Sequence, residues 1–144
     1  MNALEQTFRI RNDLRELTGA LDDVEASCRG HGLATETVLD VRLVAEEVLT
    51  NFAKYAHAVT TEQEHAIVLR LSISTGSVRL EFRDAGVAFN PLDAPLPDLQ
   101  SGTEPRGIGG LGVLLVKALV DDAAYVREGN ENILVLTKHV GSTA

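Results

Sequence analysis

Three short motifs, closely spaced and in a definite order, constrain this chain more than anything else in it. The first is Glu47-Val48-Leu49-Thr50-Asn51-Phe52-Ala53-Lys54, the second Arg83-Asp84-Ala85-Gly86, and the third Arg106-Gly107-Ile108-Gly109-Gly110-Leu111-Gly112. The first sits in a segment whose apolar residues Val41, Ala45, Val48 and Phe52 recur at helical spacing. Glu47 and Asn51 therefore share one helix face, and Lys54 lies near it; Glu46 falls off that face and reads as a surface or ion-pair residue. The second motif ends the alternating run Val78, Leu80, Phe82. The third opens an apolar segment from Gly109 to Val120 that reads as a helix. A fold for this chain has to bring together a helix face, the end of a strand and the start of another helix.

The remaining segments supply the frame. Leu4 to Arg11 alternates and suits an edge strand. Asn12 or Asp13 suits the cap of a helix running to about Cys28, with Leu14, Leu17, Leu21 and Val24 at helical spacing. Gly30 and Gly32 end it. Thr35 begins the second helix, expected to reach about His57. Ala66 to Ser74 and the run from Val78 form a hairpin around Thr75-Gly76-Ser77, and Ala123 to Arg127 with Ile133 to Lys138 form another. Between Gly86 and Pro105 lie all four prolines and no apolar period, the mark of a long loop. The order βααββ–loop–αββ predicts an α+β, two-layer sandwich, with a mixed, mostly antiparallel sheet covered on one face by three helices. One domain is expected over 1–144, with the loop at about 87–108 acting as a lid.

Charge bears on partners. The net charge is −8 in 144 residues. Nucleic-acid binding needs a basic face, so no nucleic-acid partner is expected. The N-terminus lacks a basic segment followed by an apolar one, and the window Ile108 to Val120 contains glycines and Lys117. No membrane segment is expected, and a cytoplasmic location is. Cys28 is the only cysteine and reads as a buried structural thiol. His31, His57, His65 and His139 sit at element ends and read as local structural residues.

Each motif alone has an ordinary explanation. Glu47, Asn51 and Lys54 form a polar helix face, or hold Mg²⁺ and phosphates through oxygen ligands and a cation. Asp84 makes an Asp turn, or accepts a hydrogen bond from an exocyclic amine, with Gly86 allowing close approach or a positive φ. Gly107, Gly109, Gly110 and Gly112 loosen a loop, or expose backbone N–H groups to phosphate at a helix start, with Arg106 beside them. The third motif is not a P-loop, because no Gly-Lys-Ser/Thr follows, and no βαβ unit makes it a dinucleotide fingerprint. In combination and in this order, the three point to an ATP site.

The set resembles the N, G1 and G2 boxes of the GHKL (Bergerat-fold) ATP-binding domains, and within them is most similar to anti-sigma-factor serine kinases of the RsbW and SpoIIAB type. Glu47-x-x-x-Asn51-x-x-Lys54 carries the N-box likeness. Arg83-Asp84-Ala85-Gly86 with Phe89-Asn90-Pro91 carries the G1 likeness, and Gly109-Gly110-Leu111-Gly112 the G2 likeness. The likeness extends over nearly the whole chain. Ala85 departs from the second acidic residue often found in G1, and the extra Gly107-Ile108 shifts the register of Arg106.

The resemblance implies roles residue by residue. Asn51 would coordinate Mg²⁺, and Glu47 would act as general base or orient the attacking hydroxyl. Asp84 would bind the adenine amine in a pocket shaped by Gly86. Gly107, Gly109, Gly110, Leu111 and Gly112 would line the phosphate loop, Lys54 and Arg106 would balance phosphate charge, and Thr137 would support adenine. It implies ATP and Mg as cofactors and a protein-serine kinase that phosphorylates a STAS-domain antagonist in a partner-switching module. A sigma factor as second partner and a homodimer are further implications. A nucleotide-dependent binding module without kinase activity is the alternative. A sensor histidine kinase would need a phosphoacceptor His on a preceding helix, and chaperone or topoisomerase ATPases a transducer domain.

Overall fold

A computed structural model describes residues 3–11, 13–53, 66–93 and 109–141. The strand β1 spans Leu4–Arg11, followed by α1 (Leu14–Gly30) and α2 (Thr35–Asn51). The hairpin β2 (Ala66–Ser74) and β3 (Ser77–Asp84) comes next, then a 3₁₀ turn at Pro91–Asp93. The helix α3 (Gly109–Leu119) and the hairpin β4 (Asp122–Glu128) and β5 (Glu131–His139) close the order.

Local chemistry explains these boundaries. Asp13, in extended backbone, caps α1 by accepting from Arg15 N at 2.7 Å. At the other end Gly32 takes φ +86 and its N–H reaches Arg29 O, while Leu33 N reaches Cys28 O, so the last carbonyls are satisfied. Gly76 and Gly129 supply the left-handed backbone of the two hairpin turns, φ +87 and +60. The first helix buries Leu21, Val24 and Cys28, but Leu14 in its first turn stays 77% exposed and takes no part in the core. The predicted stripe of α2, Val41, Ala45, Val48 and Phe52, is wholly buried, and Val38, Val44 and Leu49 widen it. Phe52 and Ala53 continue α2 in a wider turn; its expected extension to His57 lies outside the described residues.

The sheet has five strands in the order β1-β2-β3-β5-β4, and β1 is an edge strand as its weak alternation suggested. Among the described residues all four pairings are antiparallel, so the α+β sandwich expected with a mixed, mostly antiparallel sheet is antiparallel throughout. The crossover through α3 does carry the chain from β3 to β4 in the same direction. However, β5 folds back between them, so no two parallel strands are neighbours. Ile67, Leu69, Leu71 and Ile73 of β2, Val78, Leu80 and Phe82 of β3, and Leu134 and Leu136 of β5 are buried and form the core with the helices. The rings of Phe52 and Phe82, 6.5 Å apart, tie the end of α2 to the end of β3. On the opposite sheet face the alternate residues are charged: Arg83 Nε and Arg79 Nη2 bond to the two oxygens of Glu81 at 3.0 and 3.3 Å.

Candidate active site

The C-terminal half of α2 carries Glu47 and Asn51 on neighbouring turns. Asn51 is 2% exposed. Its Nδ2 donates to Pro91 O at 3.2 Å, whereas its Oδ1 is buried with no hydrogen-bond partner. An amide oxygen taken from water without replacement costs about 1–3 kcal/mol, so a site that keeps one is built for something else to bind it. That oxygen is a hard donor of the kind Mg²⁺ takes. Among the described residues no group of three His, Cys, Asp or Glu could hold a metal by itself. A cation on Asn51 would thus complete its shell from phosphate and water, which is the usual way Mg²⁺ is held with a nucleotide.

Glu47 is half-buried and faces α3. Gly109, Gly110, Leu111 and Gly112 form the first turn of α3, as the glycine motif predicted for a helix start. Gly112 is buried, and the Glu47 carboxylate lies directly over its Cα: a Cβ there would meet Glu47 Oε2 at 2.1 Å. Helix packing of α2 on α3 brings the first and third motifs together.

Asp84, at the end of β3, is completely buried. Its Oδ2 accepts from Gly86 N at 2.9 Å and from Asn132 Nδ2 at 3.3 Å. Gly86 is held at its other end, where its carbonyl accepts from Arg127 Nη1 at 2.8 Å. Left-handed glycine backbone is seen at Gly32, Gly76 and Gly129 but not at Gly86, so a positive φ is not what this glycine supplies.

Asn132 was not singled out from the sequence, yet it organises this end of the sheet. It is fully buried and lies across from Asp84 in the β3–β5 register. Besides Asp84, its Nδ2 donates to Val87 O at 2.8 Å. Its Oδ1 accepts from Phe89 N at 2.9 Å and Tyr125 Oη at 2.5 Å. Every donor and acceptor position of the amide is used. From Phe89 the chain runs through Asn90, whose Oδ1 accepts from Leu92 N at 2.9 Å, to Pro91, whose carbonyl meets Asn51. One bonded segment, 84–91, therefore joins the strand-end carboxylate to the helix amide. The first residues of the expected lid, 87–93, are pinned to the site; 94–108 lie outside the described residues.

Thr137 is not brought to Asp84, which corrects its expected part in the site. It pairs with Arg79 and Asp122, five positions along β5 from Asn132, or about 17 Å at the usual strand rise. The strand residue beside Asp84 is Asn132. Lys54, Arg106 and Gly107 fall outside the described residues.

This architecture, a five-stranded antiparallel sheet under three helices with the helix amide, the strand-end carboxylate and the glycine-led helix at one place, is that of an ATPase-type domain. The family model of the histidine kinase-like ATPase domain matches residues 10–138, and the chain belongs to that family. The serine/threonine-protein kinase BtrW of Bordetella bronchiseptica is 33% identical over 97 residues, 67% of this chain and 67% of that protein. The serine-protein kinase RsbW of Listeria monocytogenes is 28% identical over 114 residues, 76% of this chain and 70% of that protein. The crystal structure of the RsbU and RsbW domains of Rv1364c from Mycobacterium tuberculosis shares the fold, with a TM-score of 0.63 at 15% identity. The match takes in 96% of this chain, which spans about a third of that longer one, 32%. No helix among the described residues is long and apolar enough to cross a membrane.

Proposed function

We propose that this chain is a Mg-ATP-dependent protein-serine kinase of the anti-sigma type, working in the cytoplasm and phosphorylating a STAS-domain antagonist in a partner-switching module. A sigma factor is its second partner. The observation that carries this reading is the buried, unpartnered Oδ1 of Asn51, one helical turn from Glu47 and joined by hydrogen bonds to the Asp84 strand end. The kinase names of the relatives support it.

Bound Mg²⁺ supplies charge neutralisation to the phosphates. The protein's own residues do the rest. Asn51 Oδ1 offers the cation an oxygen ligand. Asp84 accepts the exocyclic amine of adenine, held in place by Asn132 and the Gly86 N–H. The backbone N–H groups at the start of α3 face the phosphates. The serine hydroxyl oxygen forms a bond to the γ-phosphorus as the bond to the bridging oxygen breaks and ADP leaves. Glu47 takes the hydroxyl proton.

Thermal unfolding with and without Mg-ATP tests the site. Ligand at 100 times its dissociation constant adds ~2.7 kcal/mol. For a domain of this size each kcal/mol raises the midpoint on the order of 3–5 °C. Wild type shifts and Asn51→Ala does not. No shift in wild type at millimolar Mg-ATP ends the ATP reading. Radiolabel transfer from ATP to a STAS-domain protein then tests the reaction: Glu47→Ala keeps the thermal shift and loses transfer. A wild type that binds Mg-ATP and labels no such protein is a binding module instead.

A further inference from the structure

Glu47 and Gly112 belong to different helices, α2 and α3, and meet where the two pack, Gly112 buried and Glu47 half-buried. A methyl group on Gly112 would lie 2.1 Å from Glu47 Oε2, 2.6 Å from Cδ and 3.2 Å from Cγ. No side chain fits there while the carboxylate stays where it is. Backbone conformation does not explain the glycine, because Gly112 is helical and has no positive φ. Helix propensity also argues against it, since alanine is the better helix former. The space that Glu47 occupies is what accounts for glycine at 112.

We infer that Gly112 is a positioning residue for Glu47: its missing side chain leaves the seat in which α3 holds the carboxylate. The inference rests on the kinase reading for its catalytic meaning. It differs from the phosphate-loop role expected of this glycine, because an alanine would keep the backbone N–H that a phosphate uses. What an alanine removes is the seat. The atom displaced is the far end of a flexible side chain, so Glu47 turns away without unfolding the domain, and the hydroxyl proton loses its acceptor while the nucleotide site stands.

The test uses the full chain as wild type, Gly112→Ala, Glu47→Ala and the double variant, with Mg-ATP as the probe. Calorimetry reads its dissociation constant, steady-state turnover with water as acceptor reads kcat and KM, and unliganded melting reads coupling. Gly112→Ala is expected to keep the dissociation constant and KM within about twofold while kcat falls by about 100-fold, the scale of a lost general base. Added to Glu47→Ala, it is expected to change kcat by less than about twofold. Its effect on the unliganded midpoint should be several degrees more favourable in the Glu47→Ala background than in wild type, because only the helix gain remains. An unchanged kcat, or the same midpoint change in both backgrounds, overturns the inference. A weakened dissociation constant without coupling to Glu47 also overturns it and returns Gly112 to the phosphates. If wild type neither binds nor turns over Mg-ATP, the kinase reading falls, whereas the melting cycle still decides whether the seat exists.

Discussion

Asn132 shows how much one amide can organise. Its four hydrogen bonds hold Asp84, Val87, Phe89 and Tyr125 around a strand end whose own carboxylate and amide, Asp84 and Asn132, are fully buried. Removing it takes away the hydrogen bonds it makes to the Phe89 N–H and the Val87 carbonyl. Asn132→Ala should cost about 1–3 kcal/mol in chemical unfolding. It should also weaken Mg-ATP binding, because Asp84 loses its lateral support; an unchanged affinity would show that the pocket does not depend on the clamp. Cys28 makes the contrasting case. Burial, and secondarily the charge of Glu25, pushes its thiol up to about 11. The thiolate is the reactive form, so native protein at pH 8 should resist a thiol reagent that labels it quickly in denaturant. Fast native labelling would show that the helix pair α1–α2 opens. Asn132 carried no recognisable signal because an asparagine before an apolar run reads as a turn residue. Its role depends on β5 lying beside β3.

Among the elements, α1 depends on its ends and α2 on its packing. The Asp13 cap is exposed and purely local. Asp13→Ala should lower stability by about 1 kcal/mol with no change in Mg-ATP affinity, read by urea unfolding and calorimetry side by side. A coupled loss of affinity would mean that α1 positions the site more directly than its contacts suggest. The helix α2, by contrast, starts at Ala34 without a side-chain cap and relies on the core it enters. Its amphipathic period, the two hairpin turns and the helix start at Gly109 were all legible, because each arises from neighbours in sequence. The relation between elements was less so. The element order left the strand order open, and the return of β5 into the gap between β3 and β4 is what makes the described pairings antiparallel.

The molecule as a whole divides its charge between its two sheet faces. The helical face is closed by aliphatic packing, while the other carries Arg70, Arg79 and Arg83 around Glu81. Burial alone would raise the Glu81 carboxyl. The Arg83 hydrogen bond and the charges of Arg83, Arg79 and Arg70 outweigh it, and the carboxyl is held below its usual range. A group whose pKa is lower in the folded state contributes stability above its unfolded value of about 4.3, and that stability is lost as pH falls through the folded value. Melting midpoints should thus fall more steeply below about pH 4.3 in wild type than in Glu81→Gln. Parallel profiles would show that the arginines do not favour the ionised form. The same sheet explains why Thr137 was misplaced. Its part in holding adenine was what the family resemblance implied, but register puts it opposite Arg79, away from Asp84.

By itself the sequence determined the elements, their order and the three motifs, because periodicity, caps and turn glycines act over a few residues. The tertiary structure alone decided which residue stands beside Asp84, what fills the space above Gly112 and that the amide oxygen of Asn51 stays unpaired. Those outcomes depend on strand register and helix packing between residues far apart in the chain, and a slip of one position in either would have exchanged every neighbour in the site.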